Sequence, residues 1–220
     1  VGITKFCIHP AELRKEVQLI GGTKNAKIDL IKSLNPDLII GNKEENNQAD
    51  IEQLEQEFPV WMSDIFNLED ALGMLEQIGG LTDTKQKAKE LRTTIETNFG
   101  QLKTLKPTGK SVLYLIWKNP YIAAGKNTFI DSMLETLGFE NAMNEERYPE
   151  VNLETVNPDV VFLSSEPYPF KEKHLEELQN QFPESRIVLV DGEYFSWYGS
   201  RLIGAPAYFL ELLGSVLKLI

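Results

Sequence analysis

The residues of this chain that could take part in chemistry are aromatic and amide side chains. Eleven residues near the end, DGEYFSWYGSR from Asp191 to Arg201, hold four aromatic rings, two carboxylates and an arginine. Rigid aromatic surfaces with a few polar groups usually line sites for large organic ligands, so these residues predict binding. Those in predicted strand-end loops are Phe6, Asn42, Trp117, Tyr121, Tyr168, Phe195, Trp197 and Tyr198.

Groups suited to catalysis are scarce. His174 lies in the charged segment KEKHLEELQ and is predicted to be a solvated surface residue, whereas His9 precedes Pro10 in a loop. Gly21-Gly22-Thr23-Lys24 lacks the spacing of a phosphate-binding loop, and the single cysteine, Cys7, excludes an internal disulfide. A metal-dependent enzyme or metallochaperone that uses His9 and nearby carboxylates is the alternative. We predict no catalytic residue, no resident metal and no enzymatic activity.

Composition restricts the class of protein. The chain has 220 residues, 42% of them hydrophobic, which suits one large domain or two small lobes with a core. The net charge of −11 argues against nucleic acid as a partner, because phosphate binding needs clustered basic residues. The apolar runs are shorter than a transmembrane helix needs. The first residues, VGITKFCIHP, do not resemble a signal peptide and are expected to begin inside a strand.

A pattern of elements occurs twice along the chain. In residues 30–46 a helical segment precedes Asn-Pro-Asp, and an apolar strand and an acidic loop follow; residues 153–168 repeat this order. Proline disfavours helical geometry in the residue before it, so each Asn-Pro-Asp ends a helix. A helix and a second strand come next in each copy, at 50–57 and 59–64, then at 171–181 and 186–193. Strand, helix and strand in succession predict parallel pairing and two related α/β lobes.

The segment between the lobes, 67–106, is predicted to be helical. Gly79-Gly80 interrupts the pattern, and a second helix runs from about Thr82 to Lys103. One apolar stripe predicts a stiff connector rather than a core element; its members are Ala88, Leu91, Ile95 and Phe99. The predicted division is therefore an N-terminal lobe at 1–66, connecting helices at 67–106 and a C-terminal lobe at 107–220.

The C-terminal lobe opens with the strand SVLYLIW, residues 111–117, and a polar turn at Asn119-Pro120. A helix that begins near Thr128 carries Phe129, Met133 and Leu137 on one face and stops at Gly138. Ligands bind outside the carboxyl ends of the strands in an open parallel sheet, which favours Glu193 to Tyr198 as a binding surface. Arg201 is expected to start the closing helix, and Leu202, Tyr208 and Leu212 to belong to the core.

Several segments, taken in order, carry a family resemblance. They are VGITKFCIHP, IGGTKN, NPDLIIGNKEEN, FPVWMSD, LIWKNPYIAAGKNTFI, RYPEVNLETVNPDVVFLSSEPYPFKEKH and DGEYFSWYGSR. Over nearly the whole chain they resemble the substrate-binding proteins of ABC importers for cobalamin and iron-siderophore compounds, the class III periplasmic binding proteins. The resemblance implies two small Rossmann-like α/β lobes joined by one long rigid helix, with a ligand held between them. It also implies a monomer in the periplasm that meets the membrane only through its permease or a lipid anchor.

The same resemblance implies roles for individual residues. Carried over by position, the first lobe contributes Phe6, His9, Lys24, Asn42 and Lys43 to the ligand site. The second contributes Trp117, Tyr121, Ile122, Glu193, Tyr194, Phe195, Trp197 and Tyr198. Family members dock on their permease through an acidic residue on each lobe, and the candidates are Asp50 or Glu45 and Glu172 or Glu166.

Two departures from the family pattern matter. The chain starts after the N-terminal strand and helix that carry a Pro-Ser-x-Thr-Glu turn in the family. Either the sequence is a truncated part of a longer protein or the first lobe is reduced, and the ligand site is then expected to be open on one side. Asn42 stands where cobalamin binders have a tryptophan, and Glu193 matches an acidic site residue. The expected ligand is a corrinoid such as cobalamin, transported rather than used as a cofactor. A ferric siderophore is the rival if Lys24, Lys43, Arg147 and Arg201 meet an anionic chelate; haem or a pure interaction module are further alternatives.

Overall fold

A computed structural model describes residues 1–217 of the chain, so the last three residues of the predicted lobe 107–220 lie outside it. The chain divides after Asp64 into two compact units. Across residues 1–217, no helix has both the length and the apolar character needed to cross a bilayer.

The first unit contains short parallel strands and three helices. β1 pairs with β2 and β3 pairs with β4, each pair parallel, which confirms the pairing predicted for residues 39–63. The chain also begins in a strand, as predicted, although β1 is only two residues long. The elements are β1 (Gly2–Ile3), α1 (Leu13–Glu16), β2 (Gln18–Leu19), α2 (Ile28–Leu34), β3 (Ile39–Asn42), α3 (Gln48–Glu55) and β4 (Val60–Ser63).

Local signals explain where the elements of this unit begin and end. Asn35 ends α2 in the left-handed conformation with φ 44°, and the following Pro36 cannot continue a helix. The side chain of Asn47 starts α3 by accepting a hydrogen bond from the backbone N–H of Ala49 at 2.9 Å. Ile51 and Leu54 then form the buried face of α3.

The second unit is built on a five-stranded sheet flanked by helices. The strand order is β6-β5-β8-β9, with β7 pairing with β5 as well, and β6 is the antiparallel member. The elements in chain order are α4 (Leu68–Leu81), α5 (Lys85–Gly100), β5 (Ser111–Trp117), β6 (Ile122–Ala123), α6 (Phe129–Thr136), β7 (Glu140–Asn141), β8 (Val160–Ser164), α7 (Glu172–Gln181), β9 (Arg186–Val190), α8 (Glu193–Ser196) and α9 (Ala205–Leu217).

Both faces of this sheet are covered by apolar side chains. Every residue of β8 is buried, as predicted for a strand between two layers. Alternate residues of β5 enter different clusters: Tyr114 packs with the cluster that includes α4, α5, α6 and α9, whereas Leu115 packs with the cluster that includes Leu178 of α7. The alternation follows from the two-residue period of a strand.

The helices at 67–106 differ from the expected connector in two ways. Gly79-Gly80 does not interrupt α4, which continues to Leu81. A side chain at position 79 would place its Cβ 2.4 Å from Cβ of Ala88, so Gly79 allows α4 and α5 to approach closely rather than breaking a helix. The expectation that the second helix is not a core element is wrong, because Ile95 and Phe99 belong to the buried core of the second unit. Its role as a connector between the lobes stays a prediction.

The helix predicted from Thr128 is confirmed. The Thr128 hydroxyl accepts a hydrogen bond from the backbone N–H of Asp131 at 3.1 Å, which caps α6. Phe129, Met133 and Leu137 are buried on one face, and Gly138 ends the segment with φ +77°.

Three local predictions are wrong. No helix precedes the second Asn-Pro-Asp; residues 153–155 form a turn, in which Asn152 Oδ1 accepts from the N–H of Glu154 at 3.0 Å. β9 ends at Val190, and the residues after it form α8 rather than an extended strand. Arg201 does not start the closing helix, since it lies in a 3₁₀ turn at Ser200–Ile203 and α9 begins at Ala205.

Candidate functional site

Three loops of the second unit follow the carboxyl ends of the parallel strands β5, β8 and β9. Because these ends share one edge of the sheet, side chains from the loops can meet there. The structure brings Trp117, the last residue of β5, against Tyr168 after β8, and brings Glu166 after β8 against Trp197, which follows β9 and α8. We call these four residues the strand-end surface.

Trp117 is the most exposed aromatic residue of this surface. Its side chain keeps 40% of its accessible area, and its ring packs edge-on against Tyr168 with a centroid separation of 5.8 Å. Tyr168 is supported from behind by Phe170, at 4.8 Å, and by His174, at 5.6 Å. An exposed ring on a rigid aromatic base is suited to stacking against an apolar ligand.

His174 corrects the expectation of a solvated surface residue. The residue is 3% exposed, and its Nδ1 accepts a hydrogen bond from the backbone N–H of Lys171 at 2.9 Å. The neutral ring therefore carries its proton on Nε2, which lies 3.4 Å from the hydroxyl of Tyr168. Burial lowers the pKa of His174, and the charges of Lys118 and Lys173 lower it further. The spacing of His174 and Leu178, one helical turn apart, was the signal that could have identified an inward face.

The indole ring of Trp197 is held by a hydrogen bond at its N–H edge. Its Nε1–H donates a hydrogen bond to Oε1 of Glu166 at 2.6 Å, and the Ser196 hydroxyl lies 2.8 Å from the same oxygen. Burial raises the pKa of Glu166; the two hydrogen bonds oppose this rise, and the charges of Glu193 and Asp191 add to it. Sequence reasoning missed the contact between Glu166 and Trp197, because the two residues are 31 positions apart and no motif links them.

Glu193 and Tyr194 are engaged with their own neighbours. Arg201 Nε lies 2.7 Å from Oε2 of Glu193, and its guanidinium sits 4.5 Å from the centroid of the Tyr194 ring. A second nitrogen of Arg201 lies 3.6 Å from Asp191. Tyr194 also stacks on Tyr208 at 4.7 Å. The arginine is thus surrounded by carboxylates of its own loop.

Phe195 is not part of a binding surface, which corrects the prediction for it. The residue is fully buried, and its ring packs at 5.1 Å from Tyr114 and 4.8 Å from Phe209. One turn of helix at α8 separates outward from inward positions, so Phe195 enters the core while Trp197 stays half-buried.

The remaining predicted residues of this unit lie at the periphery of the strand-end surface or beyond it. Tyr121 donates a hydrogen bond from its hydroxyl to Glu177 at 2.9 Å, and Lys118 forms an ion pair with the same carboxylate. Ile122 is a half-buried residue of β6. Tyr198 packs edge-on against Phe129 at 5.1 Å.

In the first unit, most of the predicted ligand contacts serve the loop after β3. The Asn42 side chain accepts from the backbone N–H groups of Glu44 and Glu45, at 3.0 and 3.1 Å. Lys43 pairs with Asp64 at 3.0 Å, and Lys24 Nζ donates to the carbonyl of Glu44 at 2.7 Å. Asn42 therefore holds the loop that follows the strand. Four of the five predicted contacts of this unit are exposed, namely Phe6, at 53% exposure, His9, Lys24 and Lys43.

The candidates for permease docking occupy different environments. Glu45 and Glu172 are exposed, and Glu172 lies in the first turn of α7. Asp50 is half-buried in the first turn of α3. Glu166 is committed to the strand-end surface, so the exposed Glu172 is the better candidate in this unit. Docking itself stays a prediction.

Two other features of the described residues bear on where a ligand or metal could bind. In the part of the chain that the structure describes, no three His, Cys, Asp or Glu residues are grouped to hold a metal ion. A groove of about 540 Å³ lies beside the amino end of β5 and is lined by Ser111, Glu150 and Asn157 among others. Its lining contains none of the predicted ligand contacts.

Comparison with known proteins defines first the class of fold and then the family. The α/β fold superposes on the periplasmic vitamin B12-binding protein BtuF of Vibrio cholerae with a TM-score of 0.81 and 19% identity, covering 99% of this chain and 89% of that one. A periplasmic haem-binding protein from Pseudomonas aeruginosa gives a TM-score of 0.79 and 21% identity, covering 98% and 84%. The periplasmic binding protein family matches residues 1–186, and the chain therefore belongs to this family of non-enzymatic transport-binding proteins.

A curated relative is similar in sequence as well. The vitamin B12-binding protein of Vibrio parahaemolyticus serotype O3:K6 is 25% identical over 172 residues, which are 74% of this chain and 62% of that protein. The chain spans between three-fifths and two-thirds of the length of the vitamin B12-binding proteins from Vibrio parahaemolyticus and Vibrio vulnificus.

Proposed function

We propose that the chain is the substrate-binding component of an ABC importer and that it carries a corrinoid such as cobalamin to the permease. Its membership of the periplasmic binding protein family and its similarity to vitamin B12-binding proteins support this role. The strand-end surface supports the choice of a large ring-shaped ligand, because exposed Trp117 and half-buried Trp197 offer aromatic area to a macrocycle.

The observation that carries the corrinoid assignment is the charge of the residues after β9. Between β9 and α9 the basic residue is Arg201, and it is shared between Glu193 and Asp191, with Glu166 close by as a third carboxylate. An anionic ferric siderophore or the propionates of haem would need cations that are not already paired. The amide groups around a corrin ring can instead donate hydrogen bonds to these carboxylates.

The other cations named for an anionic chelate also have partners, a carboxylate in one case and backbone carbonyls in the others. Lys43 is paired with Asp64, and Lys24 donates to a backbone carbonyl. Arg147 donates to the carbonyl of Asn127 at 3.0 Å and lies 5.3 Å from the centroid of the Phe66 ring. These contacts favour a corrinoid over a ferric siderophore.

A titration with cyanocobalamin, followed by tryptophan fluorescence, tests the proposal. We expect saturable quenching in the wild type and affinity weakened about tenfold or more in Trp117→Ala and Trp197→Ala. Trp61→Phe, on β4, is the matched control and should bind as the wild type does. Haem and a ferric siderophore are titrated in parallel. Tighter binding of either would replace the corrinoid, and binding of none of the three would refute the role as a carrier of such ligands.

Haem is the second candidate, favoured by the fold similarity to the haem-binding protein of Pseudomonas aeruginosa and by the exposure of His9, an imidazole that could reach an iron. The position of the Soret absorption band of added haem distinguishes haem binding from corrinoid binding. A shift that is lost in His9→Ala and kept in His174→Gln would favour haem.

Delivery to a permease is the remaining part of the proposal. An acidic residue on each unit would meet arginines of the permease, Glu172 in the second unit and Glu45 or Asp50 in the first. Such a role is compatible with a periplasmic location. Stimulation of the importer's ATPase by the loaded protein measures docking; we expect Glu172→Lys to reduce stimulation while cyanocobalamin affinity is unchanged.

A further inference from the structure

The loop at residues 165–170, after β8, contacts both tryptophans of the strand-end surface. Glu166 accepts the indole N–H of Trp197 at 2.6 Å. Two residues further on, the ring of Tyr168 packs against Trp117 at 5.8 Å. The backbone N–H of Tyr168 also donates to the carbonyl of Ile116 at 3.2 Å, which ties the loop to the end of β5. One loop therefore supports two aromatic rings, one at the end of β5 and one directly after α8.

The Glu166 side chain is itself fixed from several directions. Its backbone N–H donates to the Ser164 hydroxyl at 3.3 Å. Gly192 packs so closely that a Cβ there would lie 2.7 Å from Cγ of Glu166 and 2.4 Å from the Ser164 hydroxyl. The backbone N–H of Gly192 donates to the hydroxyl of Ser165 at 3.0 Å, joining the loops after β8 and β9. The backbone and Cγ of Glu166 thus lie between the ends of two paired strands, and its carboxylate accepts hydrogen bonds from Trp197 and Ser196.

The backbone N–H of Trp197 donates to the carbonyl of Glu193 at 3.0 Å, which fixes the backbone but does not by itself set the rotamer of the indole. Trp197 follows the four-residue helix α8 as an extended residue, with φ −99° and ψ 106°. A hydrogen bond at the polar edge of a half-buried indole restricts the rotamers that the side chain can adopt. A carboxylate acceptor makes a stronger bond to the indole N–H than a neutral acceptor does. A ring fixed before the ligand arrives loses less conformational entropy on binding.

We infer that Glu166 is a positioning residue for Trp197, holding the indole edge so that its face is presented to the ligand, rather than a residue whose charge docks on the permease. That Trp197 meets a ligand rests on the proposed function. That Glu166 orients Trp197 does not, because the contact exists in the protein alone.

The first experiment measures the indole without a ligand. In ¹⁵N-labelled protein the three indole N–H resonances are recorded, and that of Trp197 is assigned with Trp197→Phe. We expect Glu166→Ala to move this resonance upfield and speed its hydrogen exchange. Glu166→Gln, which keeps an uncharged acceptor oxygen, should cause a smaller shift in the same direction. Glu176→Ala, an exposed position on α7, is the matched control and should leave the resonance in place.

The second experiment measures cyanocobalamin binding by the same variants. We expect Glu166→Ala to weaken binding about tenfold and Glu166→Gln by less than about threefold. If Glu166→Ala does not fold, the resonance of Glu166→Gln decides. An unmoved Trp197 resonance in a folded Glu166 variant overturns the inference, as does equal loss of binding in both variants. A wild type that binds no cobalamin, with the indole shift still present, refutes the proposed function and leaves the positioning role standing.

Discussion

Replacing Phe195 by alanine tests whether the second unit depends on this residue for stability or for ligand binding. Phe195 is fully buried, and its ring lies 5.1 Å from Tyr114, 6.1 Å from Phe162 and 4.8 Å from Phe209. Phe-to-Ala changes in well-packed cores cost about 3–5 kcal/mol, because transfer energy is lost and a cavity remains. In a domain stable by about 5–15 kcal/mol, that is a large fraction of the total.

Urea unfolding followed by tryptophan fluorescence measures this loss. We expect a lower midpoint at an unchanged slope, and a melting temperature lowered by roughly 6–20 °C for a protein of this size. Phe66→Ala is the matched control, since Phe66 is 37% exposed and should lose less than about 1 kcal/mol. A loss below about 1 kcal/mol in Phe195→Ala, combined with weaker cyanocobalamin binding, would refute the assignment to the core and return Phe195 to the ligand site.

Three further changes test single interactions. Asp159→Asn removes the charge that faces Lys110 at 3.1 Å and should cost about 1 kcal/mol in chemical unfolding, since the pair is partly screened by solvent. Thr128→Ala removes the cap of α6 and should cost about 1 kcal/mol in the same assay. Because the folded pKa of His174 is lowered, the unfolded chain takes up its proton first; stability should fall as pH drops below about 6.5, and less so in His174→Gln.

Each change has a control in the chain. Asp37→Asn alters the exposed aspartate of the other Asn-Pro-Asp and should leave stability unchanged; an equal loss at both sites would contradict the assignment at Asp159. Hydrogen bonds from Ser111 and Lys110 lower the pKa of Asp159, so its contribution is present above about pH 4 and declines at lower pH. Thr128→Ser is the control for Thr128→Ala, because serine keeps the hydroxyl that caps α6. Identical pH profiles for wild type and His174→Gln would show that His174 does not titrate during unfolding.

Much of the fold could be predicted because it depends on short-range patterns. Two elements agree with the prediction, the strand at Ser111–Trp117 and the helix from Thr128 to Gly138. The strand is marked by an apolar run, and the helix by a capping hydroxyl and a terminal glycine; each of these signals acts within a few residues. The second Asn-Pro-Asp did not end a helix, because Asn152 formed a local turn instead. A three-residue motif therefore predicted the strand that follows it better than the element before it.

The candidate site was predicted by residue type but not by arrangement. Trp117 and Trp197 were predicted to bind a ligand from their place near strand ends, and this stays a prediction; Trp117 is the last residue of β5, and Trp197 directly follows α8. The sequence could not separate Phe195 from Trp197, two positions away, because the direction of each side chain depends on how α8 packs against the sheet. His174 was wrongly predicted to be exposed for a related reason. Its neighbours in α7 are charged, so the composition of the segment did not indicate that this position faces inward.

By itself the sequence determined the α/β class, the parallel pairing within each unit and the aromatic character of the strand ends, because these follow from local periodicity and composition. The tertiary structure alone decided that Glu166 meets Trp197, that Tyr168 backs Trp117 and that Arg201 is shared between two carboxylates. These contacts join residues whose side-chain directions are set by packing between elements, and no local pattern encodes that packing.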